Sequence, residues 1–423
     1  MAHDQLRLIT KAISIFIPLG VQLLGQYLRS IHHRWTYKVV DDAKNVVVVG
    51  GSFAGLEVAK RLAETLPTGF RLVLIEKNSH FNYLFHFPRF SVVQGHERTA
   101  FVPFDNLVTK NAPDGIFTQI RSTVTSVSDG LVHLSSGETI DFEVLVLATG
   151  ALQPPPAKVV STDREEGCAE FRAVQQQIKE STSIAVIGAG AVGVELASDI
   201  KDFYPDKKVT LIHSRGQVMN RFPKRLHDAV LPVLEELGVR VILNERPVIP
   251  GGVMGKNVVL TFADGREELF DLVIPCTGQI PNSSMLSSFL PASISSTNSR
   301  ILVEPTLQVS NPGEKKISSP IFAIGDVAEH GGPMMARASF FQAFIMVANV
   351  LAVTEGRKPY RTYKPRLFIE GAIKLTLGIS RYVVYSMDND GSDVLLPGTD
   401  GKLDLDIRKG WRQIGADPKD CQP

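Results

Sequence analysis

Two short glycine runs carry the most legible chemistry in the chain: Gly50-Gly51-Ser52-Phe53-Ala54-Gly55 and Gly188-Ala189-Gly190-Ala191-Val192-Gly193. Each follows an apolar run, Asn45–Val49 in the first case and Ile184–Ile187 in the second. A tight glycine turn between a buried strand and a helix lets the backbone approach a pyrophosphate, whose charge then sits at the helix N-terminus. Ser52 occupies the position where the first fingerprint should have its second glycine. Serine is small, and its hydroxyl can itself bond a phosphate. The next apolar run, Arg71–Ile75, ends at Glu76 and Lys77, which places a carboxylate where ribose hydroxyls need an acceptor. The corresponding run of the second unit, Lys208–Ile212, ends instead at His213-Ser214-Arg215. Without a carboxylate there, a ribose 2′-phosphate is poorly excluded, and Arg215 could pair with one or be a solvated loop charge. Use of both NADH and NADPH is therefore expected.

Three further strand ends have the composition of a cofactor rim. Thr149-Gly150 closes the run Phe142–Ala148, Gly278 closes Asp271–Thr277, and Gly325-Asp326 follows Pro320–Ile324. Small residues let the main chain pass close to a ligand, and a carboxylate after such a strand can accept from ribityl hydroxyls. A lone glycine fingerprint is compatible with an ordinary turn in many α/β proteins. Its recurrence with matching strand ends is what carries the reading.

The elements that position these residues follow from periodicity. Leu56, Ala59, Leu62, Ala63 and Leu66 recur at helical spacing after the first fingerprint, with Glu57, Lys60, Arg61 and Glu64 opposite. Val192, Leu196, Ile200 and Phe203 form the equivalent stripe after the second. Residues 116–150 read as short strands, and Met334–Leu351 as a helix after Gly-Asp. The stretch Asn78–Phe90 is dense in aromatic residues without strand alternation. Its rings fit a core-packing loop, and part of it could lie against a flat cofactor. His80 and His86 read as structural, having no visible catalytic partner. Cys276 reads as a buried small residue within its strand.

Length and composition narrow the function. A chain of 423 residues, 44% hydrophobic and 21% charged, supports two or three domains with their own cores. A net charge of +1 and the lack of a basic-aromatic tract argue against nucleic acid as a partner. Three scattered cysteines, Cys168, Cys276 and Cys421, make neither a disulfide framework nor a metal site. Residues 5–40 contain no acid and set Arg7, Lys11, Arg29, Arg34 and Lys38 around the apolar segment Ile9–Leu28. This arm has three readings: a membrane-associating helix, a mitochondrial import sequence, or a helix docked on the body.

Taken together, two nested dinucleotide units, two Thr-Gly strand ends and a late Gly-Asp resemble the two-dinucleotide-binding flavoprotein family over roughly residues 44–365. The resemblance implies an α/β fold of two nested Rossmann-like three-layer domains, with FAD and NADH or NADPH as coenzymes. The implied order is an arm (1–40), an FAD domain in two parts (41–155 and 291–365), an NAD(P)H domain between them (156–290), and a short C-terminal α+β segment (366–423). The cysteine pair of the disulfide reductases is absent from the regions where they carry it. Gly193–Ala197, Tyr204–Ser214, Pro281–Ser284, Gly325-Asp326 and Tyr363–Pro365 are similar to the group of ferroptosis suppressors and apoptosis-inducing-factor-like proteins, which resemble type II NADH:quinone dehydrogenases. That implies a membrane-associated oxidoreductase, at a cytoplasmic face or the mitochondrion, with a quinone-type acceptor. A redox-responsive partner-binding protein and an enzyme of specialised metabolism are the alternatives. By the same resemblance Glu195 lies near the nicotinamide, where it could orient the carboxamide or relay a proton; otherwise it is a surface helix charge. Two departures stand out. Ala2 replaces the glycine that some relatives myristoylate, and Met334 stands where the ferroptosis suppressors have a lysine.

Overall fold

A computed structural model describes residues 2–313 and 315–422. Its first sheet has five parallel strands in the order Ile321–Ala323, Val144–Leu147, Lys44–Val49, Phe70–Glu76 and Phe117–Arg121. The edge strand Ile321–Ala323 returns to this sheet only after the second sheet has been completed, so one unit is inserted into the other. The second sheet runs Arg240–Ile242, Lys208–Ile212, Ser183–Ile187, Glu267–Pro275 and Gly255–Thr261, the last strand antiparallel.

Burial on both faces explains the unbroken apolar strands. Val46 and Val48 turn to the side covered by helices Phe53–Ala63 and Ala336–Thr354, where Leu56, Leu62, Met346 and Val350 join one core. Val47 and Val49 face a small antiparallel sheet of residues 124–141 together with Leu286 and Phe289. The result is three layers, as expected. The second sheet is packed by Val194, Leu196, Ala197 and Ile200 of helix Ala191–Phe203. Phe203, expected on that stripe, is 38% exposed at the helix end. The C-terminal hairpin strands Ile373–Leu377, Arg381–Met387 and Asp393–Thr399 form a third sheet against this second core, through Leu375, Leu377, Val383 and Tyr385.

The aromatic stretch is mainly core. Phe81, Phe87 and Phe90 are fully buried, while Phe85 is half exposed beside Phe53. His80 is held between Ser79 and Asn82, and His86 faces the Leu405 carbonyl. Burial lowers both to about 4, so each imidazole is neutral at physiological pH. Cys276 lies one residue beyond its strand and is half-buried.

The arm is one helix, Ala2–Thr36, and its polarity is inverted. One set of polar residues turns to the body: Asp4 pairs with Arg225 at 2.7 Å, Lys11 with Asp388, Gln26 with both Arg61 and Glu64, and His33 with the Leu66 carbonyl at 2.7 Å, while Gln22, Arg29 and Arg34 are exposed. Leu6, Ile9, Ile13, Phe16, Ile17, Leu24 and Leu28 point outward, each more than half exposed. Docking therefore uses the polar face and leaves the apolar face to the surroundings. Length and hydropathy would let this helix cross a membrane, and the same holds for Ala336–Thr354, but more than half of the apolar window of the latter is buried in the body.

Candidate active site

At both fingerprints the glycines are demanded by close approach. Gly50 has φ of +98°, and a Cβ there would stand 2.5 Å from the Ala148 carbonyl oxygen. A Cβ at Gly55 would lie 1.7 Å from the Gly50 oxygen, so helix and turn can pack only without side chains. The second unit repeats this: Gly188 has φ of +112°, and a Cβ on Gly193 would meet the Gly188 oxygen at 1.8 Å. The middle position is different. Ser52 (φ −80°, ψ −165°) and Gly190 (φ −78°, ψ −174°) have the same extended backbone as the N-caps of their helices. A Cβ at Gly190 would meet nothing within 4 Å, which is why the first unit accommodates a serine. Neither cap side chain bonds its helix, so both N-termini are open to an anion. This is a cradle of the shape a pyrophosphate requires, present twice.

The residues after the second strands are structural counterparts. Glu76, buried, accepts from the Gly51 N–H with one oxygen and from the Asn78 main-chain N–H at 2.8 Å with the other. His213 Nδ1 accepts the Ala189 N–H at 3.1 Å, the same bond from the same turn position. Its Nε2 faces the Asn220 amide oxygen at 3.3 Å, which fixes the neutral tautomer with the proton on Nε2. Burial and the nearby Arg215 lower its protonation further. An uncharged ring thus does the turn-holding work of a carboxylate. Arg215 is exposed and has no ion pair among the described residues; Lys77 is likewise exposed.

Gly325 joins the late strand to the first fingerprint: a Cβ there would lie 3.0 Å from Ala54 Cβ on the first helix. Asp326 follows, its carboxyl raised by burial and opposed by Lys158, Arg300 and Arg221. Lys158 was not singled out by the sequence. It donates to the Ala151 carbonyl, and its burial is offset by Asp326 and Glu76, which places a cation between two predicted cofactor carboxylates. The available signal was that it is the single charge between Gly150 and Asp163. Thr149 is committed elsewhere: its hydroxyl donates to the Asn282 carbonyl at 2.7 Å, and the Asn282 amide donates back to the Thr149 carbonyl at 2.8 Å. Beside this clasp, Ala151–Leu152 pairs antiparallel with Ile280–Pro281. Gly278 is exposed, with φ of +81°.

Glu195 is no surface charge. One carboxylate oxygen accepts from the Thr376 N–H at 3.1 Å and from its hydroxyl at 3.2 Å. Burial pushes its pKa up to about 8, with Asp199 one turn further on adding to the rise. Asp199 is fully buried and receives Arg89 Nε at 2.8 Å, while Arg89 also donates to the Gly378 carbonyl at 2.8 Å and the Lys402 carbonyl at 3.2 Å. Arg89 was missed, although it is the only Asp, Glu, Lys or Arg within residues 78–96. The network gathers the first unit, the second unit and the C-terminal sheet around Glu195. Met335, which caps helix Ala336–Thr354 of the first unit, packs against the same core as Ala191 of the second fingerprint. The end of a first-unit helix and the turn of the second cradle thus meet at one core.

Known proteins agree with this architecture. The profile of the pyridine nucleotide-disulphide oxidoreductase family matches residues 44–343. The Fe-regulated protein 8 of Mycosarcoma maydis is 33% identical over 404 residues, covering 89% of this chain and 96% of that one. Ferroptosis suppressor protein 1 of Mus musculus is 30% identical over 390 residues, covering 89% and 97%. Among solved structures, the sulfide:quinone oxidoreductase of Aquifex aeolicus aligns with a TM-score of 0.69 at 17% identity, covering 88% of this chain and 90% of that one. The water-forming NADH oxidase of Lactobacillus brevis, bound to NADH, aligns at 0.62 and 19%, covering 82% and 76%. With two fingerprints, their strand ends and the inserted domain all in place, the chain belongs to the pyridine nucleotide-disulphide oxidoreductase family, whose members are FAD- and NAD(P)H-dependent oxidoreductases.

Proposed function

We propose that this protein passes electrons from NADH or NADPH through FAD to a quinone-type acceptor at a membrane surface. The observation that carries the reading is the pair of cradles in two interlocked units, combined with an arm whose apolar face is turned outward. The first cradle, with Glu76, Lys158 and Asp326 around it, would hold FAD; the second, with His213 and Arg215, would hold the nicotinamide nucleotide. FAD, when bound, supplies the two-electron chemistry, and the protein supplies orientation and electrostatics. Glu195, on the helix after the second cradle and held by Thr376, would orient the carboxamide. Its burial keeps a proton available near neutrality.

The acceptor is inferred from the name of the Aquifex neighbour, from the likeness to ferroptosis suppressors and from the arm. Lys11 and Asp4 tie one end of the helix to the body, and Gln26 and His33 tie the other. A helix fastened at both ends lies along a surface, with its apolar row available to lipid. The direct test is optical. The purified protein should be yellow, bleach with NADH under anaerobic conditions and recolour with a quinone. Glu195→Gln should bind FAD and be reduced more slowly. A colourless protein that refuses FAD would remove the reading, and failure to recolour with any quinone would remove the acceptor.

A further inference from the structure

Behind Gly325 lies a group of buried polar side chains with unused bonding capacity. Gln342, fully buried, accepts the Gly325 N–H at 3.1 Å with its oxygen and turns its amide towards the Tyr363 hydroxyl. The Tyr363 hydroxyl donates to one oxygen of Glu370, whose other oxygen is buried and unpaired. Tyr363 and Glu370 are 8% and 1% exposed. His330 Nδ1 accepts the Gly332 N–H at 3.0 Å, which makes Nε2 the protonated nitrogen, and the ring also faces the Gly325 main chain. The His330 ring stands edge-on to Tyr363, centroids 5.6 Å apart. A Cβ on Gly332 would lie 2.2 Å from the tyrosine oxygen, so the hydroxyl is covered on that side by bare main chain.

A polar cluster that only locked the core would have its atoms satisfied, since each buried polar atom left unpaired costs about 1–3 kcal/mol. Here one oxygen of a fully buried acid is left over. The charges facing that acid are few. Arg366, on its own short helix, is drawn over the Phe341 ring at 5.6 Å, and Arg300 acts on His330 from the other side. Burial lowers His330 to about 4, so its imidazole is neutral at physiological pH, and it raises the Tyr363 phenol and pushes the Glu370 carboxyl towards its protonated form. The cluster reaches Gly325, the neighbour of Asp326, through Gln342 and His330.

We propose that Tyr363 and Glu370 hold the one proton that the acceptor needs beyond the hydride equivalent, with Gln342 and His330 as positioning residues. This rests on the quinone reading above. NAD(P)H delivers two electrons and one proton, and a quinone becomes a quinol by taking two electrons and two protons. The Tyr363 hydroxyl gives its proton to the acceptor as the Glu370 carboxyl passes its own to the phenolic oxygen, and water restores the carboxyl afterwards. Such a group matters most where Met334 offers no ammonium in its place.

The test separates electron from proton delivery. Anaerobically reduced Glu370→Gln and Tyr363→Phe proteins are reoxidised either with a short-chain quinone or with ferricyanide, which takes electrons without protons. Reduction by NADH and reoxidation by ferricyanide should stay within about twofold of wild type, while reoxidation by quinone slows at least about tenfold. The solvent deuterium effect on the quinone step should also change, and Glu370→Asp should restore part of the rate. Infrared spectra of the flavin-free protein give a readout independent of turnover: a protonated-carboxyl band at pH 7 that Glu370→Gln removes. Equal loss with both acceptors, an unchanged quinone rate or a missing band would overturn the proposal. If the wild-type protein reduces no quinone at all, the acceptor reading falls, and the infrared band alone decides whether Glu370 holds a proton.

Discussion

Glu195→Gln removes one titration while preserving side-chain shape and an oxygen for Thr376. The wild-type carboxyl is pushed from 4.5 in the unfolded chain to about 8 by burial and by Asp199, against the opposing bonds from Thr376 and the charge of Arg89. Because the folded value is the higher one, folding takes up a proton between these limits. The stability this confers is complete below about pH 4.5 and is lost as pH rises through about 8. Each pH unit in the window is worth about 1.4 kcal/mol. With a discount for the water that reaches a partly exposed side chain, the wild type should lose about 2–4 kcal/mol relative to the variant between pH 5 and pH 9. Urea denaturation of the coenzyme-free proteins at several pH values measures this. Asp199 is present in both proteins, so the difference curve reports the loss of the Glu195 titration. Parallel curves would show that this carboxyl is not held in the dry, Thr376-bonded position, and the reasoning about its proton would fail with them.

Other consequences can be checked with single substitutions. Gly55→Ala puts a Cβ 1.7 Å from the Gly50 oxygen and should cost at least about 3 kcal/mol with loss of FAD, whereas Gly190→Ser, entering open space on an extended backbone, should cost less than about 1 kcal/mol. His213→Glu keeps an acceptor for the Ala189 N–H but adds charge, so kcat/KM for NADPH should fall at least about tenfold relative to NADH. Arg89→Leu strands Asp199 in a fully buried position and should cost about 3–5 kcal/mol in urea unfolding, much of it recovered by also making Asp199→Leu. Ile13→Asp with Ile17→Asp, at sites 54% and 63% exposed, should lower liposome binding at least about tenfold without moving Tm.

The comparison of Glu76 with His213 shows how far sequence reasoning reached. Position and spacing located both residues, because a strand of fixed length after a glycine turn leaves its last side chain at the same place. The shared bond to the turn was not legible, since it depends on a side chain reaching back to an N–H 24 or 25 residues earlier in the chain. Lys158, Arg89 and the Tyr363–Glu370 pair were missed for a related reason: each lies in a stretch without periodicity, and its partners are remote in the chain. The Arg89–Asp199 contact spans 110 residues, and Lys158 meets Asp326 across an inserted domain.

Local rules were therefore enough for the α/β class, the two cradles and the acid-free arm. Glycine stereochemistry, strand length and hydrophobic period act within about thirty residues, a range that one sequence displays in full. The tertiary structure alone decided which charges lose their water. It buried Glu195 against the C-terminal sheet, turned one set of the arm's polar residues inward, and left one Glu370 oxygen unpaired. Protonation follows from desolvation, and desolvation is a property of the packed neighbourhood that no single stretch of chain contains.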